Sequence, residues 1–254
     1  MIPQKIHYCW FGGKPLPDLA VKCITSWKKY LPDYEVIEWN ESNFDINMCS
    51  YTKEAYESKK YAFVSDYARF WILYNHGGIY FDTDVELIKP INSIVNIGGF
   101  FACEQNNSDS TSLFPLVNPG LGIASIAKHP LYKQILDKYS ILHFIKSDGE
   151  LDLTTVVTII TEVLVKNGLQ PTQSIQKVDD ITIYPPEYFC PKNYNTGKIV
   201  LTDNSVAIHH YGESWQPWDH KLEMQIWRLF GVENHPLITW HIRHWLSKIS
   251  KRFK

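Results

Sequence analysis

The stretch AFVSDYARFWILYNHGGIYFDTDVEL, residues Ala62 to Leu87, decides the fold. Its aromatic residues recur at helical spacing and predict a helix over Tyr61–His76, which the double glycine that follows ends in a left-handed conformation. The next apolar run predicts a buried strand that ends on Asp82 and Asp84. Residues i and i+2 of an extended chain point to one side, so we expect both carboxylates to face one cation. The alternative is that the two charges only mark where the strand meets water.

Strands and helices alternate on both sides of this stretch. A strand over Lys5–Trp10, a helix over Leu19–Tyr30 and a strand over Tyr34–Trp39 predict a right-handed parallel unit, as in nucleotide-binding α/β folds. Later strands are predicted at Gly98–Gln105, Ile181–Tyr184 and Ser205–Gly212, and later helices at Leu131–His143 and Thr154–Asn167. Because no repeat or linker interrupts residues 1–235, we expect one α/β domain there, followed by a basic amphipathic helix at 236–254.

The composition limits the class of protein. Apolar residues make up 44% of the 254 residues, and the formal charge of −2 argues against binding to polyanions, so we expect no nucleic-acid partner. Five scattered cysteines without a C-x-x-C pair indicate reduced thiols rather than disulfides or a zinc site. The N-terminus has neither signal-peptide nor membrane-span character. We therefore expect a cytoplasmic protein, with peripheral attachment to the cytoplasmic face of the inner membrane as an alternative.

The last segment places apolar and basic residues at helical spacing. Ile242, Trp245, Ile249 and Phe253 form an apolar stripe, and Lys and Arg occupy many of the remaining positions. An aromatic-anchored basic helix is suited to anionic lipid headgroups, so the pattern predicts contact with an anionic membrane surface. The alternative is a helix that docks on the domain and leaves its basic end in water.

Two further charged residues stand on the predicted central helix. Asp66 and Arg69 are at positions i and i+3, so they share one helix face, opposite the aromatic stripe. Such a pair is often a surface ion pair of little energetic value. The double-glycine turn, however, is expected to bring this face close to Asp82 and Asp84. Carboxylates at a strand end suit Mg²⁺ or Mn²⁺, an Arg can neutralise phosphate, and Asp66 can accept hydrogen bonds from sugar hydroxyls.

The combination of S-D-x-x-R, G-G-I-Y and D-x-D resembles the core of family 32 glycosyltransferases, which include yeast initiating α-mannosyltransferases and bacterial capsule and lipopolysaccharide enzymes. The opening IPQKIHYCWFGG is similar to the family's first strand and to the start of the clostridial glucosylating toxins. AIHHYGESWQPW is similar to the family's C-terminal segment and to the ending of family 8 galactosyltransferases, although Gln216 replaces their Lys. The resemblance, which spans about residues 2 to 218, implies a GT-A fold with a twisted, mainly parallel sheet.

The resemblance also implies roles for the charged residues. Asp84 would bind Mn²⁺ or Mg²⁺ directly, and Asp82 would reach the ribose, the donor sugar or the metal's water shell. Asp66 would hold a donor-sugar hydroxyl, and Arg69 the diphosphate or the sugar. His210 would be the distal metal ligand. Of the adjacent pair His209 and His210 only one should face the metal, and the alternative for either is a core or solvent histidine.

Further residues are assigned to the donor. Trp10 would stack on the base, with a plain core role as its alternative. Asn118 is expected either to touch the donor or to cap a turn, and Glu104 to lie near the anomeric carbon. Three residues would close over the diphosphate: Ser214, Trp215 and Trp218.

The expected function is therefore a retaining, metal-dependent hexosyltransferase. We expect UDP-galactose as its donor, followed by UDP-GlcNAc, UDP-GalNAc or GDP-mannose, and a glycan or lipid-linked oligosaccharide acceptor in bacterial capsular or lipopolysaccharide biosynthesis. One alternative is a phosphatase of the D-x-D-x-T type, but position 86 is Glu rather than Thr. The other is a non-catalytic carbohydrate-binding protein, which would not need Asp84, Arg69 and His210 together.

Overall fold

The computed structural model describes residues 1–105 and 113–212. The predicted basic helix at 236–254 lies outside the described residues, and so do Ser214, Trp215 and Trp218. The division into a domain at 1–235 and a C-terminal helix therefore stays a prediction.

Strands and helices alternate along the described residues, as the sequence predicts. The strands are β1 Lys5–Cys9, β2 Glu35–Trp39, β3 Gly78–Tyr80, β4 Val85–Leu87, β5 Phe100–Glu104, β6 Leu116–Val117, β7 Ile123–Ser125, β8 Gln176–Val178, β9 Ile181–Tyr184 and β10 Ala207–His209. The helices are α1 Asp18–Tyr30, α2 Ser50–Glu57, α3 Tyr61–His76, α4 Asn92–Val95, α5 Pro130–Ser140, α6 Val156–Lys166 and α7 Pro186–Phe189.

The main sheet has the strand order β2-β1-β3-β7-β5-β9-β8, with β6 paired to β5. β1 runs parallel to β2 and β3, and β5 runs parallel to β9. β7 is antiparallel to both of its neighbours, so β3 and β5 point the same way, and β8 is antiparallel to β9. Five of the eight strands, β1, β2, β3, β5 and β9, thus run in one direction. Helices surround this mixed sheet, and the predicted α/β fold class, that of the GT-A resemblance, is confirmed.

Helix α3 has the predicted bounds. It ends at Gly77, whose φ of 64° suits glycine and whose N–H donates to the carbonyl of Leu73 at 2.9 Å. The polar face of α3 differs from the prediction, because Asp66 and Arg69 are buried, with 8% and 3% exposure. The helix packs against α2 and α5 as well as β1 and β3, so its faces are covered on several sides. A surface ion pair is therefore excluded.

The D-x-D segment also differs from the extended strand that the sequence predicts. β3 ends at Tyr80, and residues 82–84 lie in a turn in which the N–H of Val85 donates to the carbonyl of Asp82 at 3.1 Å. β4 then leaves the main sheet and pairs with β10 in a separate two-stranded sheet. The expectation that residues 82–84 are extended is therefore wrong, and a shared cation site for Asp82 and Asp84 stays a prediction.

Two apolar clusters hold these elements together. One joins α2, α3, α5 and α6 through aromatic and aliphatic side chains, and the other joins α1, β4 and α7. Trp27 of α1 is fully buried in the second cluster, and its indole N–H donates to the carbonyl of Val85 at 2.7 Å. This bond fixes the strand after the D-x-D turn against the domain. Within the ranges 1–105 and 113–212, no helix combines the length and apolarity needed to cross a bilayer.

Candidate active site

The candidate site lies at the edge of the sheet where the parallel strands end. Trp10 follows β1, Asp82 follows β3, and Glu104 is the last residue of β5. Because these three strands run in the same direction, their carboxyl ends meet at one edge. In open α/β sheets this is the edge at which ligands bind.

Asp82 is held by a buried network that begins on α3. Nη2 of Arg69 donates to Oδ1 of Asp66 at 2.8 Å, and Nη1 of Arg69 lies 3.4 Å from Oδ2 of Asp82. The hydroxyl of Tyr80 donates to Oδ1 of Asp82 at 2.9 Å. Burial raises the pKa of Asp66 to about 7, against the opposing effect of Arg69. The predicted approach of the Asp66–Arg69 face to the D-x-D segment is thus observed for Asp82.

Asp84 faces a different set of partners. Its Oδ1 lies 3.2 Å from Nε2 of His209, and its Oδ2 accepts the backbone N–H of Gly212 at 2.7 Å. Burial alone would raise the pKa of Asp84, but His209 and the Gly212 hydrogen bond hold this pKa at about 2. Burial alone would lower the pKa of His209, yet the Asp84 carboxylate raises it well above the usual value. Each side chain thus favours the charged form of the other across a distance of 3.2 Å.

His210 points away from Asp84. Its Nε2 lies 2.7 Å from Oε2 of Glu86, which also accepts from Nζ of Lys22 at 2.7 Å. The family resemblance implies His210 as the distal ligand, but the structure places His209 beside Asp84. The reason is that successive side chains at the end of β10 turn to opposite sides, and the side facing Asp84 is that of His209.

Glu104 and Asn118 meet beneath the D-x-D turn. Nδ2 of Asn118 donates to Oε2 of Glu104 at 2.8 Å, and the N–H of Gly120 donates to Oδ1 of Asn118 at 2.8 Å. The carbonyl of Gly120 in turn accepts the N–H of Asp82 at 3.0 Å. Burial raises the pKa of Glu104, although Asn118 and the charge on His209 oppose this. Asn118 thus shapes its own turn and also links Glu104 to the acidic pair.

Trp10 is half-buried at the end of β1. Its Nε1 donates to the carbonyl of Lys14 at 2.6 Å, and its ring packs against the second apolar cluster. The site also contains two residues that the sequence did not single out, Tyr80 and Gly120. His209, the alternative that the sequence left open, lies beside Asp84 in place of His210. Tyr80 had one available signal, because a strand residue two positions before Asp82 points to the same side.

The acidic pair supplies hard oxygen ligands but not a complete metal cage. In the part of the chain that the structure describes, no three His, Cys, Asp or Glu side chains converge closely enough to hold a metal ion alone. Mg²⁺, however, is usually bound through one or two carboxylates together with substrate phosphates. Asp84 offers an ionised carboxylate, and His209 offers a ring nitrogen once its proton has left. These residues therefore fit a divalent cation that is shared with a bound phosphate group.

Comparisons with known proteins find similarity in the region that contains the D-x-D segment. Residues 17–98, which include α3 and the whole D-x-D segment, match the family model described as a glycosyltransferase sugar-binding region containing a DXD motif. The chain therefore carries the sugar-binding region of a DXD-type glycosyltransferase. This glycosyltransferase is 26% identical over 233 residues to an uncharacterized glycosyltransferase of Acanthamoeba polyphaga mimivirus, and the match covers 85% of each chain.

A second relative is the inositol phosphoceramide mannosyltransferase 1 of Schizosaccharomyces pombe. It is 27% identical to the glycosyltransferase over 240 residues, which cover 87% of this chain and 64% of the yeast protein. Among solved structures, the PaToxG glycosyltransferase has a TM-score of 0.47 at 20% identity and covers 65% of this chain and 69% of its own. The galactosyltransferase LgtC, in complex with donor and acceptor sugar analogues, has a TM-score of 0.46 at 13% identity, with 83% and 88% covered.

The predicted family resemblance and enzyme class are thus confirmed. A phosphatase and a non-catalytic carbohydrate-binding protein were the two alternatives, and neither accounts for the match over 17–98. A glycosyltransferase of this fold implies a nucleotide-sugar donor and a glycan acceptor.

Proposed function

We propose that this glycosyltransferase moves a hexose from a nucleotide sugar to a glycan acceptor, with a divalent cation and with retention of anomeric configuration. The observation that carries the proposal is the position of Asp82 and Asp84 at the carboxyl edge of the sheet, within the matched DXD region. Asp82 is joined there to a buried Arg69, and Asp84 to a buried His209.

Asp84 and His209 would hold the cation, with Asp82 beside it. A divalent cation supplies charge stabilisation to the departing diphosphate, which is the leaving group of glycosyl transfer. His209 can act as a ligand only in its neutral form, so cation binding would release the proton that Asp84 now stabilises. We retain Mn²⁺ as the first cation to test, with Mg²⁺ as the second.

The other residues of the edge would bind and orient the donor. Arg69 is a buried guanidinium beside Asp82, so it would offset negative charge on the diphosphate or hold a sugar oxygen. Trp10, half-buried at the end of β1, would stack on the base. Asn118 and Glu104 would lie on the sugar side. Double displacement would need a carboxylate nucleophile, for which Glu104 is our candidate, whereas front-face attack needs no protein nucleophile.

The donor and acceptor are proposed from the sequence resemblance and from the name of one relative. We keep UDP-galactose as the first donor, followed by UDP-GlcNAc, UDP-GalNAc and GDP-mannose. The name of the yeast relative adds weight to mannose and to a lipid-borne acceptor. A role in bacterial capsular or lipopolysaccharide biosynthesis, with a lipid-linked oligosaccharide as acceptor, remains our proposal from the sequence resemblance.

Nucleoside diphosphates with Mn²⁺ are expected to stabilise the protein against heat. Saturation at about 100 times Kd contributes about 2.7 kcal/mol, which raises the Tm of a chain of this size by about 5–10 °C. UDP and GDP should be compared by differential scanning fluorimetry with and without Mn²⁺, and the four nucleotide sugars by donor hydrolysis. Stabilisation by free glycans alone, independent of Mn²⁺, would contradict the proposal.

The basic segment 236–254 leads to a separate prediction. The full chain is expected to float with liposomes that contain anionic lipid, and a chain truncated after His235 to float less, because lysine and arginine near such a surface contribute about 1 kcal/mol each. Neutral liposomes serve as the control for both chains. Equal flotation of the two chains with anionic liposomes would reject the membrane role.

A further inference from the structure

The carboxylate of Asp82 is enclosed on three sides by groups with different roles. Nη1 of Arg69 lies 3.4 Å from Oδ2, and the hydroxyl of Tyr80 lies 2.9 Å from Oδ1. On the third side, a Cβ atom placed on Gly120 would come within 2.0 Å of Oδ2. Although the side chain of Asp82 is partly exposed, at 32%, these contacts fix its orientation.

We propose that Tyr80 and Gly120 are positioning residues that orient Asp82 for the donor and its cation. The inference rests on the proposed function, because it assigns a task to residues around the same site. Neither residue needs to contact the donor. Tyr80 acts through a hydrogen bond, and Gly120 acts by leaving room.

The position and burial of Tyr80 suit it to orient Asp82. It is the last residue of β3, two positions before Asp82, and its side chain is 1% exposed. The guanidinium of Arg69 lies 4.9 Å from the centroid of the Tyr80 ring. The guanidinium and the Tyr80 hydroxyl therefore approach the Asp82 carboxylate together.

Gly120 is a glycine for reasons of space. Nine other glycines in residues 1–105 and 113–212 have a left-handed φ, but Gly120 does not. The backbone conformation of Gly120 is therefore one that alanine can adopt. Its N–H donates to Asn118 at 2.8 Å, and its carbonyl accepts the N–H of Asp82 at 3.0 Å. An alanine side chain here would therefore press on the Asp82 carboxylate while these backbone bonds remain.

A fixed orientation of the Asp82 carboxylate favours binding of the donor and its cation, because binding then does not have to order this side chain. A side chain already held in its bound orientation loses little rotamer freedom, and residues that orient a metal ligand typically change affinity 10–100-fold when they are removed. We therefore expect Tyr80→Phe and Gly120→Ala to weaken the same binding event by two independent routes.

The test measures binding rather than turnover. Isothermal titration calorimetry measures the binding of UDP and GDP in the presence of Mn²⁺, and electron paramagnetic resonance follows the free Mn²⁺. We expect Tyr80→Phe to raise the Kd of the nucleotide in the presence of Mn²⁺ about tenfold or more. Binding of the same nucleotide without Mn²⁺ should change far less. The matched control is Tyr132→Phe, which also removes a buried hydroxyl, here one that lies 3.4 Å from the carbonyl of Ala124.

The outcomes separate this inference from the proposed function. Absence of Mn²⁺-dependent nucleotide binding in the unmodified protein would reject the proposed function itself. If the unmodified protein binds and Tyr80→Phe binds equally well, or if Tyr132→Phe weakens binding as much, the positioning role is overturned. Gly120→Ala is expected to repeat the Tyr80→Phe defect. A folded Gly120→Ala variant with unchanged binding would overturn the role of Gly120.

Discussion

Replacing Asp84 by asparagine is expected to lower glycosyl transfer on the order of 10³-fold, because it removes about 4 kcal/mol of transition-state charge stabilisation. The carboxylate has a pKa of about 2, so it is fully ionised at neutral pH and is available to a cation. An asparagine keeps the shape of the side chain and can still accept the N–H of Gly212. The fold is therefore expected to persist, and His209 becomes easier to deprotonate without its carboxylate partner.

The measurement is the initial rate of transfer with saturating donor over a series of Mn²⁺ concentrations, together with Mn²⁺ binding. Glu86→Gln is the matched control, since it removes the next carboxylate along the strand, which is paired with Lys22 and His210 rather than with the site. We expect that variant to keep most of its rate. Unchanged turnover by Asp84→Asn with Mn²⁺ present would remove the D-x-D segment from the mechanism.

The periodic parts of this fold could be predicted from the sequence. The aromatic stripe of helix α3 is long enough to predict both of its bounds, and the glycine that follows His76 predicts where the helix ends. The parallel unit β1-α1-β2 was recognisable because each element is short, apolar on one side and separated by turn residues. Strand β7 was not predicted, because three residues with the sequence IAS carry no period and gain their place only by pairing between β3 and β5.

The site was predicted in composition better than in geometry. The Asp66–Arg69 face of α3 was expected to lie near both Asp82 and Asp84. The structure joins it to Asp82. Asp84 contacts His209 and Gly212 instead. The turn at residues 82–84 could not be anticipated, because it depends on bonds from Gly120 and β10, which are distant in sequence. The choice between His209 and His210 also depends on contacts that are distant in sequence. The alternation of side chains along a strand predicts that the two rings point to opposite sides, but only the position of β10 against β4 shows which ring faces Asp84.

Replacing Arg69 by methionine is expected to lower the free energy of unfolding by about 3 kcal/mol and also to abolish most transfer. Removal of one member of a buried ion pair leaves an uncompensated charge and typically costs about 3–5 kcal/mol. Arg69 lies between two carboxylates, and its side chain is only 4% exposed. The expected loss is at the low end of that range, because the pKa of Asp66, already about 7, allows this carboxyl group to take up a proton.

A double-mutant cycle separates the structural effect from the functional one. In Asp66→Asn with Arg69→Met, no ionised Asp66 remains, so the double variant should be more stable than the sum of the single losses predicts, with a coupling of about 1–3 kcal/mol. Transfer should stay as low as in Arg69→Met alone, since the guanidinium beside Asp82 is still missing. Equilibrium unfolding in urea and initial rates measure the two quantities.

Lys133→Met is the matched control, because Lys133 pairs with Asp137 one turn along the exposed face of α5. That variant should change the free energy of unfolding by less than about 0.5 kcal/mol. If Arg69→Met were as mild as Lys133→Met, the buried network would not stabilise the fold. If the double variant instead recovered transfer along with stability, Arg69 would serve only the fold and would have no part in handling the charge of the donor. Stability restored without transfer is the outcome that assigns both tasks to this one guanidinium.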